Sequence, residues 1–591
     1  MFLATTALEE FWDINDRIVF LGEWCKLYSR RDFWSKLDYI ELPEISSLWQ
    51  DAQKINDSIL YCNVVYEKTL DSLTELLNEI HGIKKEKQYY RIIIGNWLLT
   101  FIHVTYERYQ NIVYALNKHN HINTYILDEE QYLAPIDYDD FIAYVSLDFY
   151  NLQIYSQIIN ALGFHFKSKK ITNPILQKSS YQSNDYNLKS LLTNLFFKIA
   201  NLKSFFSNNT ITLTDPYFKY DSINSYFKLL SKSHSNVIFD NLKYFYQFNF
   251  SKNLMKREKL NLKNAKTEFE KILSKLLKFN LPILFLEGFK EFRHYVKKLP
   301  IKHSNIFVTL NSIHSNNIFK FFIAENHYQL KLAIIQHGGC YGTEKIMVIE
   351  NYEKSVSNKF YTWGWSDNTQ TTILNTGEIG SFKSRVSKKN VFKNIYLIMT
   401  LQSRYHYRFR FEVTNYNFSK IIDSSIDFLS KLDSNKIKKI VRFYMNDSNG
   451  WDVEKRFKDS GVSYCKDISK KKFLDAIQDI YICIFDHLGT TYLESLALNK
   501  PTVIFIDKNI YKFRLSAQLY FDMLEKVKIL HYSPESASEH VNKIYDDVNK
   551  WWLCPKVQEA RAKFVEQFAR TSKNWADEWI KEFNKILKEN T

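Results

Sequence analysis

Ile480-Tyr481-Ile482-Cys483-Ile484-Phe485-Asp486-His487-Leu488-Gly489-Thr490-Thr491-Tyr492-Leu493-Glu494-Ser495-Leu496-Ala497-Leu498-Asn499-Lys500-Pro501-Thr502-Val503-Ile504 reads as strand, turn, helix and strand. An apolar run closes in Asp-His-Leu-Gly, and a β-branched run resumes straight after Lys-Pro. Alternation on this spacing belongs to βα units and a parallel sheet. Thr490 or Thr491 can cap the helix, whose free N–H groups then attract an anion. Working outward, strand-like runs recur at 394–400 and 439–444, and upstream at 2–6, 17–22, 281–286, 306–310 and 332–335. The last three stop in Glu287-Gly288, Asn311-Ser312 and Gln336-His337-Gly338-Gly339. In an open α/β sheet such strand ends line the ligand crevice.

The intervening sequence is helical from about 47 to 130, where Leu70, Leu73, Leu76, Leu77 and Ile80 recur at spacings of three and four. Residues 95–116 carry aromatics on several faces and predict a buried helix. Residues 165–265 are polar and rich in Ser, Asn and Lys, which predicts a helical insertion with long surface loops. The charged stretch 381–390 is the expected linker. A single core seldom grows past about 250–300 residues, so 591 residues divide. The expected domains are an α/β acceptor-side domain over 1–385, with helical insertions at about 45–135 and 165–265, a nucleotide-donor α/β domain over 391–555, and a C-terminal helix over 556–591 packing back across both.

Only 14 Gly and 9 Pro exclude collagen-like and Pro-rich classes, and 16% aromatics argue against long disorder. No apolar run reaches the ~18–20 residues of a membrane-spanning helix. The net charge of +15 suits anionic partners, although a lysine bias on solvated helix faces explains it equally well. There is no zinc-finger spacing or RNP box, so nucleic acid is not an expected partner. Six cysteines without a CxxC spacing predict reduced thiols. The start lacks a basic region and a long apolar core, so no secretory signal is read and a cytoplasmic location is expected. Trp551, Trp552, Trp575 and Trp579 with neighbouring lysines give the C-terminal helix two readings: peripheral contact with the anionic inner face of a membrane, or packing across the domains.

Three loops carry the chemistry. Three glycines lie within residues 334–342, in a chain that has few. They permit a tight turn and close approach to the main chain. His337 at its tip suits a general base or a phosphate donor, and a hydrogen-bonded histidine in a turn is the plain alternative. Gln336, Gly338 and Gly339 join it as donor-binding candidates. The second loop supplies His487, Gly489, Thr490, Thr491 and, one turn into the helix, Glu494, which suits ribose hydroxyls. The third, residues 400–408, supplies Ser403, Arg404 and Arg408; the two arginines share a face if a helix begins there. Arg442, a charge inside an apolar strand, is either a ligand for phosphate or half of a salt bridge. Glu287 is the substitute base. Thr5, Thr6, Glu23 and Lys320 are acceptor-side candidates, with a helix ion pair to Glu325 as the alternative for Lys320. Asp139-Asp140 and Asp546-Asp547 stand in helical or loop contexts, not in an Asp-x-Asp loop after a strand, so no metal or other cofactor is implied.

Gly489-Thr490-Thr491-x-x-Glu494-x-Leu496-x-x-x-Lys500-Pro501 resembles the donor-nucleotide loop and helix of GT-B transferases. That segment, with residues 284–290, Gln336-His337-Gly338-Gly339-x-Tyr341-Gly342 and Thr362-Trp363-Gly364-Trp365, also resembles a family of bacterial transferases associated with lipopolysaccharide O-antigen and other surface-glycan gene clusters. Trp97-Leu98-Leu99-x-Phe101 and Tyr106-x-Arg108-Tyr109 extend the likeness, with Asn96 where that family has proline. More distantly, the His-Gly turn is similar to that of teichoic-acid polyol-phosphate transferases, and the layout to capsule Kdo and sialic acid transferases. The resemblance implies a GT-B-like fold of two Rossmann-like domains facing a cleft. It also implies a metal-independent glycosyltransferase that takes a nucleotide-sugar donor, a CMP-activated ulosonic acid for choice, and a glycan or lipid-linked glycan acceptor. The alternatives are a polyol-phosphate transferase of the same fold and a non-catalytic nucleotide- or carbohydrate-binding protein.

Overall fold

A computed structural model describes residues 1–588 except 120, 173–209, 216–221, 234–236, 243, 248, 368, 375–392, 445–446 and 448. The linker expected at 381–390 lies outside the described residues. Two six-stranded sheets, parallel throughout, dominate the α/β architecture. From edge to edge the second sheet runs Cys465–Lys466, Lys438–Arg442, Asn394–Ile398, Ile482–Phe485, Thr502–Phe505 and Leu530–His531. Numbered along the chain this is the order 3-2-1-4-5-6 of a dinucleotide-binding fold, whose crevice opens between strands 1 and 4. The first sheet runs Thr371–Ile373, Lys359–Thr362, Lys331–Ile335, Ile306–Thr309, Ile211–Thr214 and Val237–Phe239. The fold is therefore GT-B-like, two Rossmann-like sheets whose C-terminal strand ends meet at one cleft.

The stretch expected as a helical insertion supplies two of these strands. Ile211–Thr214 is fully buried and pairs with both Ile306–Thr309 and Val237–Phe239. Four- and three-residue strands set in polar sequence offer too short a run for periodicity to register. A second correction concerns 281–286. The chain there is the helical turn Ile283–Leu286 behind Pro282, not a strand. A short apolar run cannot separate strand from buried helix, and proline at the N-cap favours the helix.

A small parallel sheet of Phe2–Ala4, Ile18–Phe20 and Tyr39–Glu41 precedes two long helices, Ala52–His81 and Lys87–Lys118. The second helix is buried around most of its circumference, with Trp97, Phe101, His103 and Arg108 in the core. The C-terminus forms two helices, Pro555–Phe568 and Trp575–Lys588, rather than one. The latter packs Trp575, Trp579 and Phe583 on Ile306, Val308, Ala333 and Ile335 of the first sheet. Trp552 is 1% exposed, Trp575 fully buried and Trp579 3% exposed. Those indoles are core, in keeping with the packing reading of the two. Among the described residues no helix is long and apolar enough to cross a membrane.

Glu287 sits in this framework, not at a strand end. It accepts from Arg257 Nε at 2.7 Å, Arg257 Nη2 at 2.8 Å and the Asn253 N–H at 2.9 Å. Both side chains are at most 5% exposed. Removing one partner of a buried pair strands the other charge, at a cost of about 3–5 kcal/mol. Glu287→Ala is therefore expected to lower the melting temperature clearly, and calorimetry checks this; an unchanged transition would refute the structural role.

Candidate active site

A cleft of about 460 Å³ opens between the sheets. The first sheet contributes Asn311 and His314, which follow strand Ile306–Thr309, and His337, Gly338, Gly339, Cys340 and Tyr341, which follow Lys331–Ile335. The second contributes Thr400, Gln402, Tyr407, Arg408, Arg410 and Glu412 after Asn394–Ile398, and His487, Leu488, Gly489 and Thr490 after Ile482–Phe485. These two strands flank the switch point of the second sheet, where an open α/β sheet binds ligands.

The glycine loops of the two halves touch. A Cβ on Gly339 would fall 2.1 Å from the Gly489 carbonyl oxygen, and Cys340 Sγ donates to the Leu488 carbonyl at 3.3 Å. Only glycine at 339 permits this approach. Gln336 is buried and shapes the turn. Its Oε1 accepts from Trp363 N–H and Trp365 Nε1–H, and its Nε2 donates to the Gly338 carbonyl. It is a strut under the loop and does not line the cleft.

His337 faces a buried carboxyl that the sequence did not reveal. Glu353, fully buried on helix Val348–Val356, has Oε1 3.5 Å from His337 Nδ1. The same oxygen accepts from Tyr341 O–H at 2.9 Å and from His314 Nε2–H at 2.6 Å. Asn96 donates to His314 Nδ1 at 2.9 Å and so selects that tautomer. Glu353 Oε2 is buried with no hydrogen-bond partner among the described residues. Burial lifts the Glu353 carboxyl to about 7, opposed by His337, and burial pushes His337 down to about 4. The Tyr341 hydroxyl lies 3.2 Å from His337 Nδ1 and 3.3 Å from Nε2; in the tautomer that carries its proton on Nδ1, toward Glu353, Nε2 is the acceptor. His314, His337 and Glu353 could also hold a metal ion, their donor atoms lying within 4.8 Å of one another. The 2.6 Å between His314 and Glu353 is a hydrogen bond, and ligands around an ion would stand farther apart.

On the opposite wall Arg408 forms no ion pair among the described residues; its guanidinium lies 5.6 Å from the centroid of the Tyr407 ring. Arg410 is paired with Glu412. His487 Nδ1 lies 2.8 Å from Asp486 Oδ1, and Ser425 donates to the other carboxylate oxygen at 2.9 Å. The His487 ring is thereby held against Gly489.

The remaining candidates lie elsewhere. The Arg404 guanidinium is bound to the Asp148 carboxylate and the Trp24 carbonyl, and Ser403 does not line the cleft. Residues 399–417 form no helix, so the condition under which Arg404 and Arg408 would share a face is not met. Arg442 pairs with Asp467 at 3.1 Å, the salt-bridge alternative. Glu494 is buried in helix Thr491–Ala497, and neither it nor Thr491 lines the cleft. Thr5 and Thr6 are buried, their carbonyls accepting from Trp24 and Trp12, and Glu23 pairs with Lys26. Lys320, 1% exposed, lies behind the cleft and donates to the His314 carbonyl, while Glu325 pairs with Arg293 instead. His314, Tyr341, Glu353 and Asp486 are the additions. Tyr341 and Asp486 stand inside the quoted loops without being singled out there, whereas the signal of His314 and Glu353 is tertiary.

The chain belongs to the LIC12162 family of transferases, which matches residues 1–583. No curated protein matches it in sequence. Among solved structures it is similar to a single-residue mutant of S. aureus TarM in complex with fondaparinux, alpha-GlcNAc-glycerol and UDP (13% identity, 50% of this chain, 57% of that one, TM-score 0.32). It is also similar to Acinetobacter baumannii MurG (9%, 64% and 99%, TM-score 0.32) and to the spinosyn rhamnosyltransferase SpnG complexed with spinosyn aglycone (8%, 63% and 100%, TM-score 0.29). The match spans little more than half the length of the TarM chain.

Proposed function

We propose that this LIC12162-family transferase is a glycosyltransferase that moves a sugar from a nucleotide-activated donor to a bacterial surface-glycan acceptor, free or lipid-linked. The observation that carries the reading is Arg408, a guanidinium with no ion pair among the described residues, in a cleft that also holds a histidine backed by a buried carboxyl. A guanidinium without a carboxylate partner keeps its donors open to a phosphate. The donor phosphate would lie on Arg408 and the exposed main chain of Gly489 and Thr490, with His487 beside it. His337 Nε2 would take the proton of the acceptor hydroxyl as it attacks the anomeric carbon. Glu353 would steady the imidazolium, and Arg408 the phosphate that leaves.

A CMP-activated ulosonic acid is the favoured donor, on the resemblance of the layout to capsule Kdo and sialic acid transferases. A polyol-phosphate transfer would use the same anion site but break a P–O bond. Incubation with CMP-, UDP- and GDP-linked sugars and with a CDP-linked polyol, and mass spectrometry of the product, distinguish the two: the acceptor gains either a sugar or a polyol phosphate. No step needs a metal, so chelation with EDTA is expected to leave turnover unchanged. Loss of activity restored by a divalent cation would assign the His314–His337–Glu353 cluster to an ion instead.

A further inference from the structure

The short turn Leu254–Arg257 presents two large apolar side chains to water, Leu254 at 73% exposure and Met255 at 80%. Phe245, nine residues before Leu254, is 60% exposed. The following stretch carries Lys256, Lys259, Lys263 and Lys266 against the single acid Glu258. The turn is held firmly from beneath. Asn253 Oδ1 accepts from the Lys256 N–H at 3.0 Å, and Arg257 is locked to Glu287 while also donating to the carbonyls of Lys278 and Leu281 at 3.1 Å. The Leu284–Lys290 motif, which the cleft does not use, thus anchors this turn through Glu287. A buried ion pair is a costly anchor for a surface loop. Here it fixes a turn whose outward residues lie in water.

We propose that this turn is a membrane-docking element, with Leu254 and Met255 entering a bilayer that carries anionic lipid and the flanking lysines resting on its headgroups. Charge decides the occupant. An apolar tip followed by exposed Lys259, Lys263 and Lys266 matches a surface that is negative outside and hydrocarbon within. A second copy of a chain of net charge +15 would meet it with like charge. The buried tryptophans of the C-terminal helices are not available for this contact. The inference goes beyond the transfer reaction and does not depend on it.

The test is co-sedimentation of the full chain with vesicles of phosphatidylcholine alone and of phosphatidylcholine mixed with phosphatidylglycerol, without donor or acceptor, so its outcome is separate from any transfer assay. The chain is expected to pellet with the mixed vesicles. Leu254→Asp/Met255→Asp should weaken this at least about tenfold, since each side chain loses its transfer into hydrocarbon. Lys259→Gln/Lys263→Gln/Lys266→Gln should erase the preference for anionic lipid and its salt sensitivity. All these sites are exposed, so melting temperatures should hold. Leu515 and Leu519, another exposed apolar pair, provide the control, and Leu515→Asp/Leu519→Asp should still pellet. Absence of pelleting, equal pelleting with both lipids, indifference to Leu254→Asp/Met255→Asp, or release only by the control variant would each overturn the proposal.

Discussion

Replacing His337 with alanine, or Glu353 with glutamine, is expected to lower transfer by about 10²–10⁴-fold, the usual worth of a general base, while nucleotide affinity stays close to that of the parent. His337 is the proton acceptor in this reading. Glu353 acts through it, so the glutamine variant needs a readout that a merely structural role would not move. The pH profile provides one. His337, pushed down to about 4, is neutral across the working range. Glu353, lifted to about 7, ionises within it. The parent's rate should therefore rise with pH through about 7, and Glu353→Gln should lack that limb. Stability should move the other way. A carboxyl raised from 4.5 to about 7 binds its proton more tightly in the folded state. It therefore contributes stability that is complete below pH 4.5 and lost as pH rises to about 7. The melting temperature of Glu353→Gln relative to the parent should climb over that window and level off above it. A rate limb that survives in the glutamine variant would remove Glu353 from the mechanism, and near-parental turnover of His337→Ala would remove the base.

His337 and the Gly489-Thr490 loop were legible from sequence because glycine is scarce in this chain. A rare residue directly after an apolar run marks a strand end where the main chain is exposed. Glu353 was not legible: it is one of two glutamates on a helix sixteen residues beyond His337, and only the packing of that helix under the cleft turns it toward the imidazole. The misread residues share a cause. Arg404 and Arg408 were paired by helical spacing, which has no force in the irregular segment 399–417, where one turns to Asp148 and the other to the cleft. Glu287 followed an apolar run of strand length that is a helical turn, and the strands Ile211–Thr214 and Val237–Phe239 were too short to stand out from polar surroundings. Period and composition report elements of more than about five residues. The shorter ones are decided by the sheet they complete.

Arg408→Ala is expected to weaken nucleotide binding by about 30-fold or more, since truncating one side of a desolvated, hydrogen-bonded charge pair costs about 2–5 kcal/mol. Calorimetry with CMP, UDP and GDP measures it, and CMP is expected to bind best. The neighbouring cations are the internal controls. Arg404 and Arg442 already have carboxylates, so Arg442→Ala should leave affinity within about twofold of the parent while lowering stability. Arg408 has no ion-pair partner to strand among the described residues, so its alanine variant should lose the stabilisation that nucleotide confers on the parent. Arg408→Lys keeps the charge but not the planar fork and should fall between the two. Affinity that does not change in Arg408→Ala would mean that the phosphate lies elsewhere.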